Sequence, residues 1–170
     1  MVDLDTMIKW DTPNFFELTN NELSAVKDNE VVEWTYNSTK GYQHMFPDVE
    51  FGWWDYVNAG FVVVNKKHKD LFKTMVDFYH KHKEHLLDLQ YNKLRKGSDQ
   101  TPFNYMIRKM NYEINYLPKI YNMTSIHRKG ILPGGLFIDI GNIWHFNGFD
   151  KESRVKLMKD TWDITKENYK

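Results

Sequence analysis

Ala59-Gly60-Phe61-Val62-Val63-Val64 is a short, continuous apolar run in a chain of mixed polarity. A run of that length predicts a strand covered on both faces, as in an α/β sheet. Directly after it, Lys69 to Lys96 carries Leu71, Met75, Phe78 and Tyr79 at helical spacing, with Gly97 where a helix would end. That predicts an amphipathic helix packed on the sheet. A second helix is expected to start at Ser98, a good N-cap, with Phe103, Met106, Ile107 and Met110 as its inner stripe. Glu113 to Leu117 predicts another strand, ended by Pro118. Leu136 to Ile140 and Ile143 to Phe146 are further apolar runs, and Lys151 to Tyr169 predicts a closing amphipathic helix. Upstream, Asp11-Thr12-Pro13 marks a turn or helix start and Phe15 to Val26 a short helix. The β-branched and aromatic Val31 to Tyr36 predicts a strand, and Gly41 to Trp54 an irregular stretch. The expected class is α/β, a mixed sheet flanked by helices, in one domain spanning the 170 residues.

Composition narrows the function. The chain is 41% apolar with six tryptophans, which suits a packed core. Its 23 basic residues balance 23 acidic ones, so no electrostatic footprint for nucleic acid or an anionic membrane is present. No apolar run approaches the roughly 20 residues that span a bilayer, and no signal peptide is visible. There is no cysteine, hence no disulfide and no thiolate chemistry. A cytoplasmic protein is the expectation.

Asp3-Leu4-Asp5 is the first candidate for chemistry. On an extended segment, residues two apart point to the same side, and two carboxylates so placed repel unless a cation sits between them. Hard cations such as Mg²⁺ or Mn²⁺ take carboxylate oxygens. A solvated acidic turn is the plain alternative. Met1-Val2 is too short a strand to hold such a site, so either the pair is not a site or its supporting strand lies upstream. In Tyr56-Val57-Asn58-Ala59-Gly60-Phe61, Asn58 is either a turn residue or an amide facing a ligand hydroxyl, with Gly60 allowing close approach. Gly97-Ser98-Asp99-Gln100 caps a helix and places an Asp-Gln pair at its start. His145-Phe146-Asn147-Gly148-Phe149-Asp150-Lys151 has the form H-x-x-G-x-x-K. Its imidazole suits a Mn²⁺-type ion, its glycine a tight turn, and its lysine a phosphate. His80, His82 and His85 form no comparable set, since only two of them share a helix face.

In order and spacing these four clusters resemble glycosyltransferase family 8, the glycogenin and lipopolysaccharide-galactosyltransferase group with the GT-A nucleotide-diphospho-sugar transferase fold. The resemblance runs from Asp3 to Lys151 and implies the following. Asp3, Asp5 and His145 hold Mn²⁺ or Mg²⁺. Gly148 and Lys151 grip the diphosphate of a nucleotide-sugar donor, and Asn58 touches its sugar. Asp99 and Gln100 lie beside the anomeric carbon, and Gln100 orients groups or stabilises developing positive charge. A hexose passes with retention to a saccharide, lipid-linked or protein acceptor hydroxyl.

The resemblance covers the downstream half of such a domain, from the metal motif onward, so roughly 80–120 further residues are expected upstream. The usual Pro-Trp after the motif's lysine is replaced by Glu152-Ser153. Aromatics around Trp53, Trp54 and Tyr56 suit core packing or an acceptor-sugar platform. Two other readings compete. One is a degenerate transferase fragment without catalysis. The other is a haloacid-dehalogenase-like phosphatase, which Asp3-Leu4-Asp5-Thr6 also resembles. There Met7 stands where a Thr or Val is expected, and the later acidic cluster is lacking.

Overall fold

The computed structural model describes residues 1–28, 31–94, 99–124 and 136–169. The strands are β1 (Thr6–Ile8), β2 (Leu23–Lys27), β3 (Val57–Val63), β4 (Ile114–Tyr116) and β5 (Ile143–His145). The helices are α1 (Val32–Tyr42), α2 (Lys69–Asp88), α3 (Gln100–Lys109), α4 (Leu136–Ile140) and α5 (Lys151–Thr165). A three-stranded sheet has the order β3-β2-β4, with β2 antiparallel to β3 and parallel to β4. A separate antiparallel ribbon pairs β1 with β5, matching Thr6 to His145. The class is α/β. Among the described residues no helix is long and apolar enough to cross a membrane.

β3 has the double-sided burial expected of its apolar run. Val57 and Val62 pack with Leu23 and Ala25 of β2 against Leu71, Leu86, Phe103 and Ile107 of α2 and α3. Phe61 and Val63 join Val26 on another cluster, with Leu117, Tyr121 and Ile143. Each buried Val, Leu, Ile or Phe among them contributes roughly 1.5–3 kcal/mol of hydrophobic stabilisation. The Asn104 amide of α3 accepts from Val57 N and donates to Val57 O, both at 2.8 Å. This two-point clasp fixes α3 against the start of β3.

Several local expectations are corrected. Val31 to Tyr36 does not form a strand but falls in α1, where Thr35, Ser38 and Tyr42 face inward at helical spacing. The β-forming Val32 and Tyr36 point to solvent instead. Ser38 and Thr39 bond the carbonyls four residues back, which lets hydroxyl residues sit in a helix. Phe15 to Val26 is not one helix. A 3₁₀ turn at Phe15–Leu18 is broken by Asn20 and Asn21, at φ 50° and 59°, and the central strand β2 follows. α2 stops at Asp88 and runs into a π-helical turn at Leu89–Lys93, short of Lys96. Ser98, expected as the N-cap of α3, and Gly97 lie outside the described residues, and the Asp99 side chain accepts from Gln100 N as the cap. The closing helix ends at Thr165, with a 3₁₀ turn over Lys166–Tyr169.

Met1 and Val2 are not left without support. Val62 N donates to Met1 O at 3.0 Å, Met1 N donates to Val62 O at 2.8 Å, and Val2 bridges Phe61. Strand β3 therefore carries the acidic pair on its edge, the role expected of an upstream strand.

Candidate functional site

Asp3 and Asp5 lie on a turn, not on an extended segment. Asp3 N donates to Gly60 O at 2.8 Å, and Thr6 closes the turn through its N–H and hydroxyl on Asp3 O. Leu4 occupies the exposed tip. Phe146 N donates to Asp5 O at 2.8 Å, so the end of β5 holds the second acid. The turn brings both carboxylates to buried His145: Nε2 is 3.2 Å from Asp5 Oδ1 and 3.7 Å from Asp3 Oδ2. One donor atom from each of the three lies within 4.8 Å of the others.

Gly60 makes this approach possible. A Cβ there would stand 2.7 Å from Asp3 Oδ2 and 2.9 Å from Asn58 Oδ1, and would overlap the His145 ring.

A chain of amides runs from the histidine to a third acid. His145 Nδ1 is 3.0 Å from Asn122 Oδ1, and Asn122 Nδ2 donates to Asn58 Oδ1 at 2.9 Å. Gly60 N also donates to Asn58 Oδ1 at 2.8 Å, while Asn58 Nδ2 donates to Asp28 Oδ2 at 2.9 Å. Gln100 Nε2 donates to the same Asp28 oxygen at 2.9 Å, and Gln100 Oε1 accepts from Ala59 N at 3.0 Å. The directions follow from one group. A backbone N–H only donates, so Asn58 Oδ1 accepts, Asn122 must present its N–H₂ to it, and Asn122 Oδ1 faces the imidazole. His145 Nδ1 then carries the proton, and the Nε2 lone pair faces Asp3 and Asp5.

Electrostatics agree. Burial lowers the His145 pKa, against the raising influence of Asp5, Asp3 and Asp28. Desolvation raises the Asp3 carboxyl above its ordinary value, with Asp5 and Asp99 adding to the rise and His145 opposing it. A neutral imidazole lone pair facing two carboxylates is an arrangement of acceptors without a donor. Neighbouring ligands of an octahedral ion with bonds near 2.1 Å stand about 3 Å apart, close to the spacings seen here. The three residues could together hold a divalent cation such as Mn²⁺ or Mg²⁺.

The other predicted residues divide. Asn58 and Gln100 are drawn together on Asp28, with both ends of each amide bonded to protein. Asp99 caps α3 at an exposed position close enough to influence Asp3. Gly148 takes φ 78°, a left-handed turn suited to glycine. Lys151 opens α5 and is exposed, with no hydrogen bond or ion pair among the described residues. The helical cation that meets the acids is Arg154, whose Nη1 lies 3.0 Å from Asp5 Oδ2.

Asp28, Asn122 and Arg154 were missed in the sequence. Arg154 lies three residues after Lys151, a spacing that marks a shared helix face. Asp28 and Asn122 stand in no motif. Of the helical histidines, His85 meets His44 ring to ring at 2.8 Å and His82 packs on Phe78. Tyr56 is core, its hydroxyl 2.7 Å from the Thr101 hydroxyl. Trp53 stacks on exposed Trp54 and lines a cavity of about 570 Å³ with Tyr36, Gln43, Glu50 and Phe51.

The chain matches no protein-family model, and it has no significant match among curated proteins or solved structures.

Proposed function

We propose that the chain is a metal-dependent glycosyltransferase of the GT-A type. It moves a hexose from a nucleoside-diphosphate sugar to an acceptor hydroxyl, with retention. The observation that carries this reading is the meeting of Asp3, Asp5 and His145, from opposite ends of the chain, with donor atoms within 4.8 Å.

The ion held by these three would stabilise the negative charge that develops on the leaving diphosphate. Lys151, exposed at the start of α5 on a flexible stem, adds a mobile positive charge for the same group. Asp28 keeps its Oδ1 without a partner among the described residues, and the exposed Asp99 carboxylate caps the helix that Gln100 starts. These carboxylates suit sugar hydroxyls, which donate readily to ionised acceptors. Gln100, bonded at both ends of its amide, orients Asp28 rather than attacking carbon. Asn58 acts as a buried strut between Asp28 and Asn122. The aromatic faces and polar edges around Trp53 suit a saccharide acceptor.

The test is hydrolysis of a panel of nucleoside-diphosphate hexoses with and without Mn²⁺. We expect Mn²⁺-dependent release of nucleoside diphosphate, reduced by at least about 100-fold in Asp5→Ala and His145→Ala. Metal-independent hydrolysis of phosphate monoesters would sink the reading in favour of a phosphatase. Absence of any Mn²⁺ binding would leave a non-catalytic protein.

A further inference from the structure

Asp5 is shared between two partners. Its Oδ1 faces His145 Nε2 at 3.2 Å, and its Oδ2 faces Arg154 Nη1 at 3.0 Å. The guanidinium is half-buried. Its Nη2 donates to Phe149 O at 2.9 Å, and its Nε is buried with no hydrogen-bond partner among the described residues. Arg154 thus rests in a position that leaves its buried Nε–H unsatisfied, next to the one cluster of possible metal-ligating groups found among the described residues.

We propose that Arg154 is a cation with two partners: it neutralises Asp5 in the metal-free protein and grips a phosphate oxygen of the donor once the metal is bound. The proposal rests on the transferase reading and extends it to a residue outside the H-x-x-G-x-x-K pattern. The physical argument is one of exchange. A divalent ion on Asp3, Asp5 and His145 cancels the negative charge that attracts the guanidinium. A diphosphate on that ion brings new negative charge within one ligand's width of Nη1, and a guanidinium fork matches phosphate oxygens better than an ammonium does. Lys151, one turn earlier on α5, is left to act as a second, mobile charge.

The exchange predicts effects of opposite sign, which a merely structural arginine would not give. Mn²⁺ affinity is measured by electron paramagnetic resonance, and inorganic pyrophosphate binding to the Mn²⁺-loaded protein by calorimetry. In Arg154→Met, Mn²⁺ alone should bind about threefold tighter, because a competing cation is gone. Pyrophosphate should then bind about tenfold more weakly, because a charge-assisted fork is gone. Arg154→Lys keeps the charge without the fork, so its Mn²⁺ affinity should stay near wild type while pyrophosphate binding weakens by about threefold. That variant decides the matter if Arg154→Met fails to fold. Both affinities weakening together, or neither moving, overturns the role of Arg154 while leaving the transferase reading intact. Wild-type protein that binds no Mn²⁺ overturns both.

Discussion

The two ends of the polar network are built on opposite plans. At the amide end, Asn58, Asn104 and Gln100 have both ends of each side chain bonded, to backbone or to Asp28. At the acid end, Asp3, Asp5 and His145 present acceptor atoms to one another, with Arg154 as the hydrogen-bonded cation on Asp5. A saturated network fixes positions, and an unsaturated one leaves acceptor atoms that a cation could satisfy. The contrast separates scaffold from site without reference to any relative. Asn58 belongs to the scaffold by this criterion, although its sequence setting suggested a ligand contact.

Gly60→Ala is the strongest way to break the contrast, because Gly60 touches both ends. The added Cβ would press on Asn58 Oδ1, Asp3 Oδ2 and the His145 ring at once. Asn58 and the His145 ring are buried and held by hydrogen bonds, so they cannot swing aside and overpacking should cost about 3 kcal/mol. Urea unfolding would read this loss. Mn²⁺ affinity should fall by at least about tenfold, since the histidine and one acid are displaced together. A variant with wild-type stability and affinity would show that the close approach around residue 60 is not what sets the site.

Asn122→Leu should have the next largest effect, since it cuts the link between the ends. The side chain is buried and bonded at both ends, accepting from His145 and donating to Asn58. Removal leaves the His145 Nδ1–H and one lone pair of Asn58 unpaired in the interior, at about 2 kcal/mol. The more telling readout is the tautomer. ¹⁵N NMR of the metal-free wild type should place the His145 proton on Nδ1. In Asn122→Leu it should move in part to Nε2, with Mn²⁺ affinity down by roughly 10–100-fold. Asn122→Asp keeps an acceptor toward the ring and should hold the Nδ1 tautomer, which separates orientation from general loss of packing. An Nε2–H ring in the wild type would reverse the assignment of donors along the chain.

The difference between the ends also explains what was legible in the sequence. The candidate ligands Asp3, Asp5 and His145 stand in short patterns with fixed chemistry, so they were singled out, and the structure brings their donor atoms together. The apolar run at β3 and the stripes of α2 and α3 were read from periodicity, because local burial follows local spacing. Val31 to Tyr36 misled because its β-forming residues face solvent, while the inward positions of α1 are Thr35 and Ser38, which carry little hydrophobic signal. β2 was hidden because four successive buried residues, Leu23 to Val26, are periodic in neither sense. Asp28 and Asn122 matter through partners 23 to 72 positions away, pairings that no local pattern announces. Arg154 was hidden differently, since its partner Asp5 lies at the other end of the chain.

The smallest effect concerns charge at the acid end and sharpens the comparison most finely. The Asp3 carboxyl is raised above its ordinary value of 3.8 and His145 lowered below 6.5, chiefly by desolvation in both cases. The signs differ in consequence. A lowered His145 contributes stability above pH 6.5 that is lost as pH falls, because the fold resists protonation. A raised Asp3 contributes stability at low pH that is lost as pH rises through its folded value, because the fold resists ionisation. At pH 7 the metal-free protein therefore carries an Asp3 that opposes folding, and its partial exposure keeps the penalty small. Asp3→Asn should raise the metal-free melting temperature at pH 7 by about a degree or two while weakening Mn²⁺ binding, the trade expected where a site is kept at the expense of the fold. The same shifts keep the His145 lone pair available, so wild-type Mn²⁺ affinity should change little between pH 7 and 6.5 and fall at lower pH as the ring and Asp3 take protons. An Asp3→Asn protein less stable than wild type without metal would place this carboxylate among the struts, and the acid end would no longer differ in kind from the amide end.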